Sequence, residues 1–188
     1  MTVRCFALIG ALALLGSTAT SAQQPRVRKG FWVGAGGGFG SLGLSCSGCA
    51  TIDRQSAGTA FLKLGGTLSD HWRLGFENDS WIKSSGGTTV VAGNVSLAAY
   101  YYPSATRGFF VRGGAGFAFY QEKNATNAAL GLGLVLGVGY DLRIGGGFSF
   151  TPVANFNWGS VGDVQRGIVT LPGVKQNLLQ LGVGLTWH

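Results

Sequence analysis

Length, composition and charge restrict this chain to a few classes of protein. Its 188 residues suffice for one domain, and its 34 glycines lack the three-residue period of a collagen-like chain. Hydrophobic residues make up 46% of the chain and charged residues 11%, a balance too apolar for a disordered protein. The formal net charge is +7, but no basic helix or basic-aromatic cluster accompanies it, so no nucleic-acid partner is expected.

The first 22 residues have the pattern of a cleavable signal peptide. Arg4 precedes an apolar stretch at residues 6–15, and small residues at 19–22 provide a cleavage site. The apolar stretch is too short to span a bilayer, and no run of 18 or more apolar residues follows it. We therefore expect residues 1–22 to be removed on export and residues 23–188 to form one domain that is not a helical membrane protein.

From residue 30 onward, large apolar residues alternate with small or polar ones. This period of two is typical of β-strands with one apolar face. Eight such strands are predicted, at residues 30–40, 58–68, 72–81, 89–102, 108–121, 129–142, 148–158 and 177–188. Short turns at 69–71, 103–107 and 143–147 alternate with longer loops at 41–57, 82–88, 122–128 and 159–176. Bacterial outer-membrane barrels have the same asymmetry, with short periplasmic turns and longer outer loops.

The faces of the predicted strands distinguish a membrane barrel from a soluble one. On each strand, leucines and aromatic residues occupy one face, and glycine and polar residues occupy the other. This is the arrangement in which bulky side chains face lipid and small ones fill a narrow lumen. A soluble lipocalin-like barrel, the third class considered, would turn its bulky residues inward around a ligand. The pattern predicts an all-β fold, an eight-stranded antiparallel up-and-down transmembrane β-barrel. Aromatic residues fall at both strand ends, as two girdles.

The last strand shows the alternation clearly and can pair with the first, which leaves no open edge. Its apolar face consists of Leu179, Leu181, Val183, Leu185 and Trp187. With these features the chain resembles the small outer-membrane β-barrels of the OmpA and OmpX type. The resemblance covers residues 23–188 and concerns the barrel domain only, without the peptidoglycan-binding domain of OmpA.

The resemblance implies an integral protein of the cell outer membrane, in contact with membrane lipid and lipopolysaccharide. In that family the barrel-insertion machinery recognises the final strand by its alternating apolar residues and its terminal aromatic residue. The five apolar residues of the last strand match this insertion signal. His188 follows the aromatic Trp187 and departs from the commonest form of the signal.

Two cysteines lie close together in the first predicted loop. Cys46 and Cys49 are separated by Ser-Gly, and such a pair in an exported chain usually oxidises to a disulfide. A metal site would need two further ligands, and neither His71 nor His188 is predicted at that end of the barrel. We expect a disulfide, no metal and no cofactor.

Six charged residues are predicted to face the lumen. They are Lys63, Glu77, Arg73, Asp79, Arg112 and Asp141. Because eight strands enclose room only for side chains, these charges are expected to form ion pairs that plug the lumen. A turn centred on Asp70 places Lys63 directly opposite Glu77, close enough for a salt bridge between them.

The sequence offers little support for catalysis. A barrel that acts as a lipid-A deacylase would need a histidine beside a serine near the outer rim. His71 and His188 are predicted at the opposite end. The G-x-G-x-x-G match at residues 38–43 opens a loop instead of a helix, so it predicts no nucleotide site. The leading hypothesis is a structural or surface-interaction barrel without enzymatic activity. The alternative is a narrow porin-like channel for ions or very small solutes.

Overall fold

The structure, a computed structural model, describes residues 28–47, 49, 52–122, 129–166 and 169–188. The predicted signal peptide, residues 1–22, lies outside the described residues. All regular secondary structure in the described part of the chain is β-strand. Among the same residues, no helix is long and apolar enough to cross a bilayer.

Nine strand segments form one closed antiparallel sheet. They are β1 (Phe31–Ser45), β2 (Gln55–Thr67), β3 (Trp72–Ser85), β4 (Thr88–Tyr101), β5 (Phe109–Glu122), β6 (Ala129–Tyr140), β7 (Leu142–Gly145), β8 (Phe148–Arg166) and β9 (Val169–Trp187). The segments β6 and β7 are two parts of one barrel strand interrupted at Asp141, because both pair with β8. Each strand pairs with its neighbours in the chain, and β1 pairs with β9. The predicted eight-stranded up-and-down barrel is therefore confirmed.

The predicted alternation of faces is present around the barrel. On β6, Leu134 is 43% exposed on the outer surface, whereas the next residue, Val135, is 1% exposed inside the barrel. Large exposed apolar side chains of this kind occur on every strand and form a continuous outer band, which we call the apolar belt. A soluble monomer rarely exposes so large an apolar surface, and a membrane barrel requires it.

The two ends of the barrel differ. The turn end holds residues 28 and 188 and the connections 68–71, 102–108 and 146–147. An aromatic girdle surrounds it, formed by three directly opposed pairs: Trp72 with Tyr101, Phe109 with Tyr140, and Phe148 with Trp187. The loop end holds the last residues of β1, β5 and β8, the first residues of β2, β6 and β9, and the turn at Gly86 and Gly87. The aromatic girdle at the turn end lies where the sequence predicted it.

The register of the β2–β3 hairpin also matches the prediction. Leu64 lies opposite Phe76 on the outer face, and Lys63 lies opposite Glu77 on the inner face. A shift of one residue would turn both charges toward lipid, so the burial of one strand face fixes this register.

The predicted bounds of the loops at 41–57 and 159–176 are wrong, because strands occupy nearly half of the first range and almost all of the second. β1 continues to Ser45, and β8 and β9 form a hairpin that reaches residues 166 and 169. Two irregularities hide this hairpin in the sequence. Gly162 and Gly173 have φ angles of +74° and +60°, and the pairing of β8 with β9 shifts register on both sides of Gly162. Val161 and Val164 both turn inward although they are three residues apart, which breaks the period of two.

The remaining predicted loops are shorter than expected or lie partly outside the described residues. β3 reaches Ser85 and β4 begins at Thr88, so Gly86 and Gly87 alone make that turn, with φ angles of +57° and +80°. Positive φ at both central residues is the geometry of a tight two-residue hairpin. In the predicted loop 122–128, β5 ends at Glu122 and residues 123–128 are not described.

A lysine in place of Leu134 tests the position of the apolar belt. A cation on the lipid face at mid-bilayer costs about 2–4 kcal/mol, and this cost falls to about 0–1 kcal/mol near the interface. We expect Leu134→Lys to destabilise the barrel folded in lipid vesicles by the larger amount, so that its free energy of unfolding falls. Leu130→Lys, on the same face near the loop end, is the matched control and should have a smaller effect. Equal effects of the two substitutions would show that the belt is misplaced.

Candidate functional site

The barrel interior is filled in three layers, and the first lies at the turn end. Four buried aromatic side chains form its centre: Trp32, Tyr100, Tyr102 and Phe110. Their ring centroids lie 5.1 Å apart for Trp32 and Tyr100, and 5.3 Å apart for Tyr102 and Phe110. Such spacing is that of packed aromatic pairs, so this layer closes the lumen by packing.

A buried carboxylate lies beside this aromatic cluster. Asp141, at the interruption between β6 and β7, accepts hydrogen bonds from the hydroxyls of Tyr102 and Thr151, each at 2.9 Å. Arg73 Nη1 lies 3.7 Å from Asp141 Oδ2 and donates to the Tyr102 hydroxyl at 3.2 Å. The structure thus brings together Arg73 and Asp141, two of the six charges predicted in the lumen, and supplies the partners that a buried charge requires.

The middle layer is organised by Arg112 of β5. Its guanidinium contacts Glu77 and lies 2.8 Å from Asp79 Oδ2, both on β3. Its Nε donates to Asn155 Oδ1 at 3.1 Å, and Asn155 Nδ2 in turn donates to Gln180 Oε1 at 3.0 Å. Arg112 therefore reaches over β4 to β3 on one side and over β6 to β8 on the other, and Asn155 extends the network to β9.

Lys63 completes the set of six charges, all of which are buried. It lies opposite Glu77 in register, but the ion-pair partner of Glu77 in the described residues is Arg112. The Lys63 ammonium instead lies 4.7 Å from the centroid of the Phe61 ring and 5.8 Å from that of Tyr100. These are cation–π distances. An energetic coupling between Lys63 and Glu77 stays a prediction.

The third layer lies at the loop end and is apolar. Leu42, Trp81, Ala92 and Leu178 pack together there, next to a second cluster. The second cluster consists of Ala118, Val161, Val164 and Val174. Trp81 Nε1 donates to the carbonyl of Gly40 at 3.2 Å, so the indole is held in place and its polar atom is satisfied. These two clusters are the apolar floor of the barrel mouth.

A cavity of about 130 Å³ lies above this floor, which we call the mouth cavity. Its lining includes Leu42, Leu44, Cys46, Trp81, Val164, Leu171 and Val174. The predicted disulfide between Cys46 and Cys49 is present at its edge, with Cα atoms 5.4 Å apart. The sequence did not predict the cavity, because residues 41–57 and 159–176, which supply most of its lining, were assigned to loops.

Arg28 is a buried residue that the sequence did not single out. Its Nη1 donates to the carbonyls of Asp70, Ser104 and Ala105 at 3.0, 3.3 and 3.0 Å. Its guanidinium also lies 3.8 Å from the centroid of the Tyr102 ring. Arg28 thus connects two turns across the turn end. No periodicity marks it, because it precedes β1 and adjoins the exposed Lys29.

A serine and a histidine are close together at the turn end. A lipid-A deacylase would need such a pair at the outer rim, which is the other end of the barrel. Ser149 Oγ lies 3.0 Å from His188 Nε2. Ser149 is fully buried, so its hydroxyl is closed to a substrate, and His188 Nδ1 has no hydrogen-bond partner among the described residues. His71 lies at a turn, where its Nδ1 is 2.7 Å from the carbonyl oxygen of Tyr102. Within the described ranges, no three His, Cys, Asp or Glu residues are grouped to hold a metal ion.

The five residues of the predicted insertion signal lie on the outer face of β9. Leu179, Leu181, Val183, Leu185 and Trp187 are all exposed there, while Leu178, Gln180 and Thr186 are buried inside. The last strand therefore has the face that the signal needs. Its recognition by the insertion machinery stays a prediction.

Solved structures with the same fold are small outer-membrane barrels. Neisserial surface protein A matches with a TM-score of 0.54 at 15% identity, over 84% of this chain and 96% of that chain. Ail, the attachment invasion locus protein of Yersinia pestis, matches with a TM-score of 0.57 at 11% identity, over 85% of this chain and 99% of that chain. Ail in complex with the heparin analogue sucrose octasulfate matches with a TM-score of 0.53 at 13% identity, over 84% and 99% of the two chains.

At such identities the likeness establishes the fold alone. No protein-family model matches the sequence, and no curated protein matches it. The shared fold agrees with the apolar belt and the aromatic girdle of the structure itself. Together they confirm the predicted membrane-spanning β-barrel fold.

Double-mutant cycles test the pairing in the middle layer. Arg112→Met leaves two buried carboxylates without their cation, and removing one partner of a buried ion pair costs about 3–5 kcal/mol. We expect a cycle of Arg112→Met with Glu77→Gln to be strongly non-additive in denaturant unfolding from lipid vesicles. A cycle of Lys63→Met with Glu77→Gln is the matched comparison and should give a smaller coupling. Additive effects of Arg112→Met and Glu77→Gln would contradict the network.

Proposed function

We propose that this chain is a closed outer-membrane barrel with a structural and surface-interaction role and without enzymatic activity. The observation that carries this proposal is that packed side chains fill the lumen at three successive levels. Phe110 at the turn end, Asp79 in the middle and Trp81 at the loop end are each at most 1% exposed. Because each layer contains side chains of several strands, a solute would have to displace packed groups at three successive levels.

We assign the loop end to the outside of the cell. In barrels of this kind the short turns are periplasmic, and here the hairpin of β8 and β9 extends the wall at the loop end. On the outer wall near that end, Arg54 Nε donates to Ser41 Oγ at 3.0 Å, and Arg54 also contacts Asn177 Oδ1. Lys175, exposed on β9 two residues before Asn177, is opposite Ser45 of β1. These cations lie just beyond the apolar Phe39 and Leu179.

A cationic wall directly beyond the apolar belt is suited to the phosphate groups of lipopolysaccharide, since opposite charges attract at a membrane surface. Arg54 is held by Ser41 and Asn177, so its charge is positioned before a ligand arrives. A surface role agrees with the comparison, because Ail is an attachment invasion locus protein with the same architecture. We also propose that the insertion machinery recognises the outer face of β9.

A second candidate function is a narrow pore for ions or very small solutes, and one observation favours it. Several buried polar atoms in the middle layer have no hydrogen-bond partner among the described residues, including Asn94 Oδ1, Ser96 Oγ and both amide atoms of Asn157. Buried polar groups of this kind are usually satisfied by ordered water. An ion that passes through the barrel would need a row of such polar groups, with their water, along its path.

Single-channel recording in planar bilayers separates the two functions. We expect no conductance steps from the wild type, because packed side chains occupy the lumen. We also expect none from Arg112→Gln, which removes the central lumen charge, or from Lys175→Gln, the matched control on the outer wall. Steps whose ion selectivity changes in Arg112→Gln but not in Lys175→Gln would establish the pore and refute the closed barrel.

A further inference from the structure

We propose that the mouth cavity is a binding site for a small apolar molecule about the size of one aromatic ring. The cavity has a volume of about 130 Å³ and lies between the apolar floor of the mouth and Cys46. Apolar cavities of about 150 Å³ in proteins stay dry and accept benzene or xenon. The proposal goes beyond a structural role, which requires no ligand.

The chemistry of the lining selects the class of ligand. Leu42, Trp81 and Val174 form the floor and are 3%, 1% and 4% exposed. Leu44 and Leu171 supply the walls. Because the Trp81 N–H donates to the Gly40 carbonyl, the indole contributes no free polar atom to the floor. An apolar ligand would gain burial against this floor, whereas a charged ligand would lose its hydration there.

The lining also has polar members, and part of it is held in place. They are Ser45, Asp53, Gln55 and Tyr120, and the side-chain oxygen of Gln55 accepts a hydrogen bond from Lys83 Nζ at 3.0 Å. Cys46 lines the cavity and is tied to Cys49 by the disulfide. A pocket that keeps its shape without a ligand costs less to occupy, because fewer groups must be ordered on binding.

The cavity is closed below, which distinguishes binding from passage. Ala92, Ala118 and Leu178 are at most 2% exposed beneath it. Gln176 Nε2 donates to the carbonyls of Gly93 and Phe119 at 3.0 and 3.3 Å, so this side chain is held across the lumen. A molecule that enters from the loop end therefore stops at the floor. This geometry is that of a binding pocket with one opening.

A titration with toluene tests the proposal on the full mature chain in lipid nanodiscs. The methyl groups of Val164, Leu171 and Val174 report on the cavity by NMR, and those of Leu134 and Leu181 report on the lipid face. We expect saturable shifts at the three cavity residues and shifts proportional to toluene at the two lipid-facing ones. Shifts that never saturate at the cavity would overturn the proposal.

Substitutions that fill the cavity provide the second test. Leu171→Trp should weaken the saturable binding of toluene by more than about tenfold, a change of about 1.4 kcal/mol. Leu44→Phe fills the cavity from the opposite wall and provides the same test if the first variant does not fold. Leu181→Phe, on the lipid face, is the control and should bind as the wild type does. Saturable binding that survives in the folded filled variants would refute the site.

The same experiment distinguishes a free small molecule from a lipid chain. Nuclear Overhauser contacts between lipid acyl chains and the Val164 methyls, unchanged by toluene, would assign the cavity to lipid and overturn the proposal. Loss of those contacts as toluene saturates the site would support it. Neither result depends on whether the barrel conducts, so failure of this proposal leaves the proposed function untouched.

Discussion

The pairing of β1 with β9 is the constraint on which the rest of the structure depends. In the hydrocarbon of a bilayer every backbone N–H and C=O needs a partner, and a sheet meets this need only when it has no edge. Thirteen residues of β1, from Val33 to Ser45, face partners on β9 in one unbroken register. Once the sheet is closed, each strand has one face toward lipid and one toward a narrow lumen. A sequence period of two follows from that geometry.

Closure also determines what the interior can contain. A buried charge inside a narrow lumen is costly unless it is paired, and Arg112 contacts both Glu77 and Asp79. The layers on either side of it are mainly aromatic and apolar, and the Arg73–Asp141 pair lies beside the aromatic cluster. The filled interior makes passage of solutes the less favoured function and directs attention to the two ends of the barrel. The loop end has both a cavity and two exposed cations, Arg54 and Lys175, on its outer wall.

The sequence predicts the register between neighbouring strands. It does not predict contacts across the lumen or the positions of bulges. The alternation of apolar and polar residues, together with one turn position, was enough to place Lys63 opposite Glu77. They could not predict that Arg112 pairs with Glu77, because that contact crosses the lumen between strands that are not adjacent. Bulges near Gly162 and Gly173 moved the apolar pattern out of phase, so the β8–β9 extension and the mouth cavity were missed. The lipid-facing surface was predictable and the interior contacts were not.

Cross-linking β1 to β9 tests closure most directly. Ala35 and Leu185 are directly opposed, and opposed residues have Cβ atoms about 4.5–5.5 Å apart, whereas diagonal ones lie about 7–8 Å apart. In a background with Cys46 and Cys49 replaced by serine, the pair Ala35→Cys and Leu185→Cys should oxidise readily in the folded protein. The diagonal pair Gly37→Cys and Leu185→Cys should oxidise far more slowly. A cross-link in neither pair, or preferential cross-linking of the diagonal pair, would contradict a barrel closed in this register.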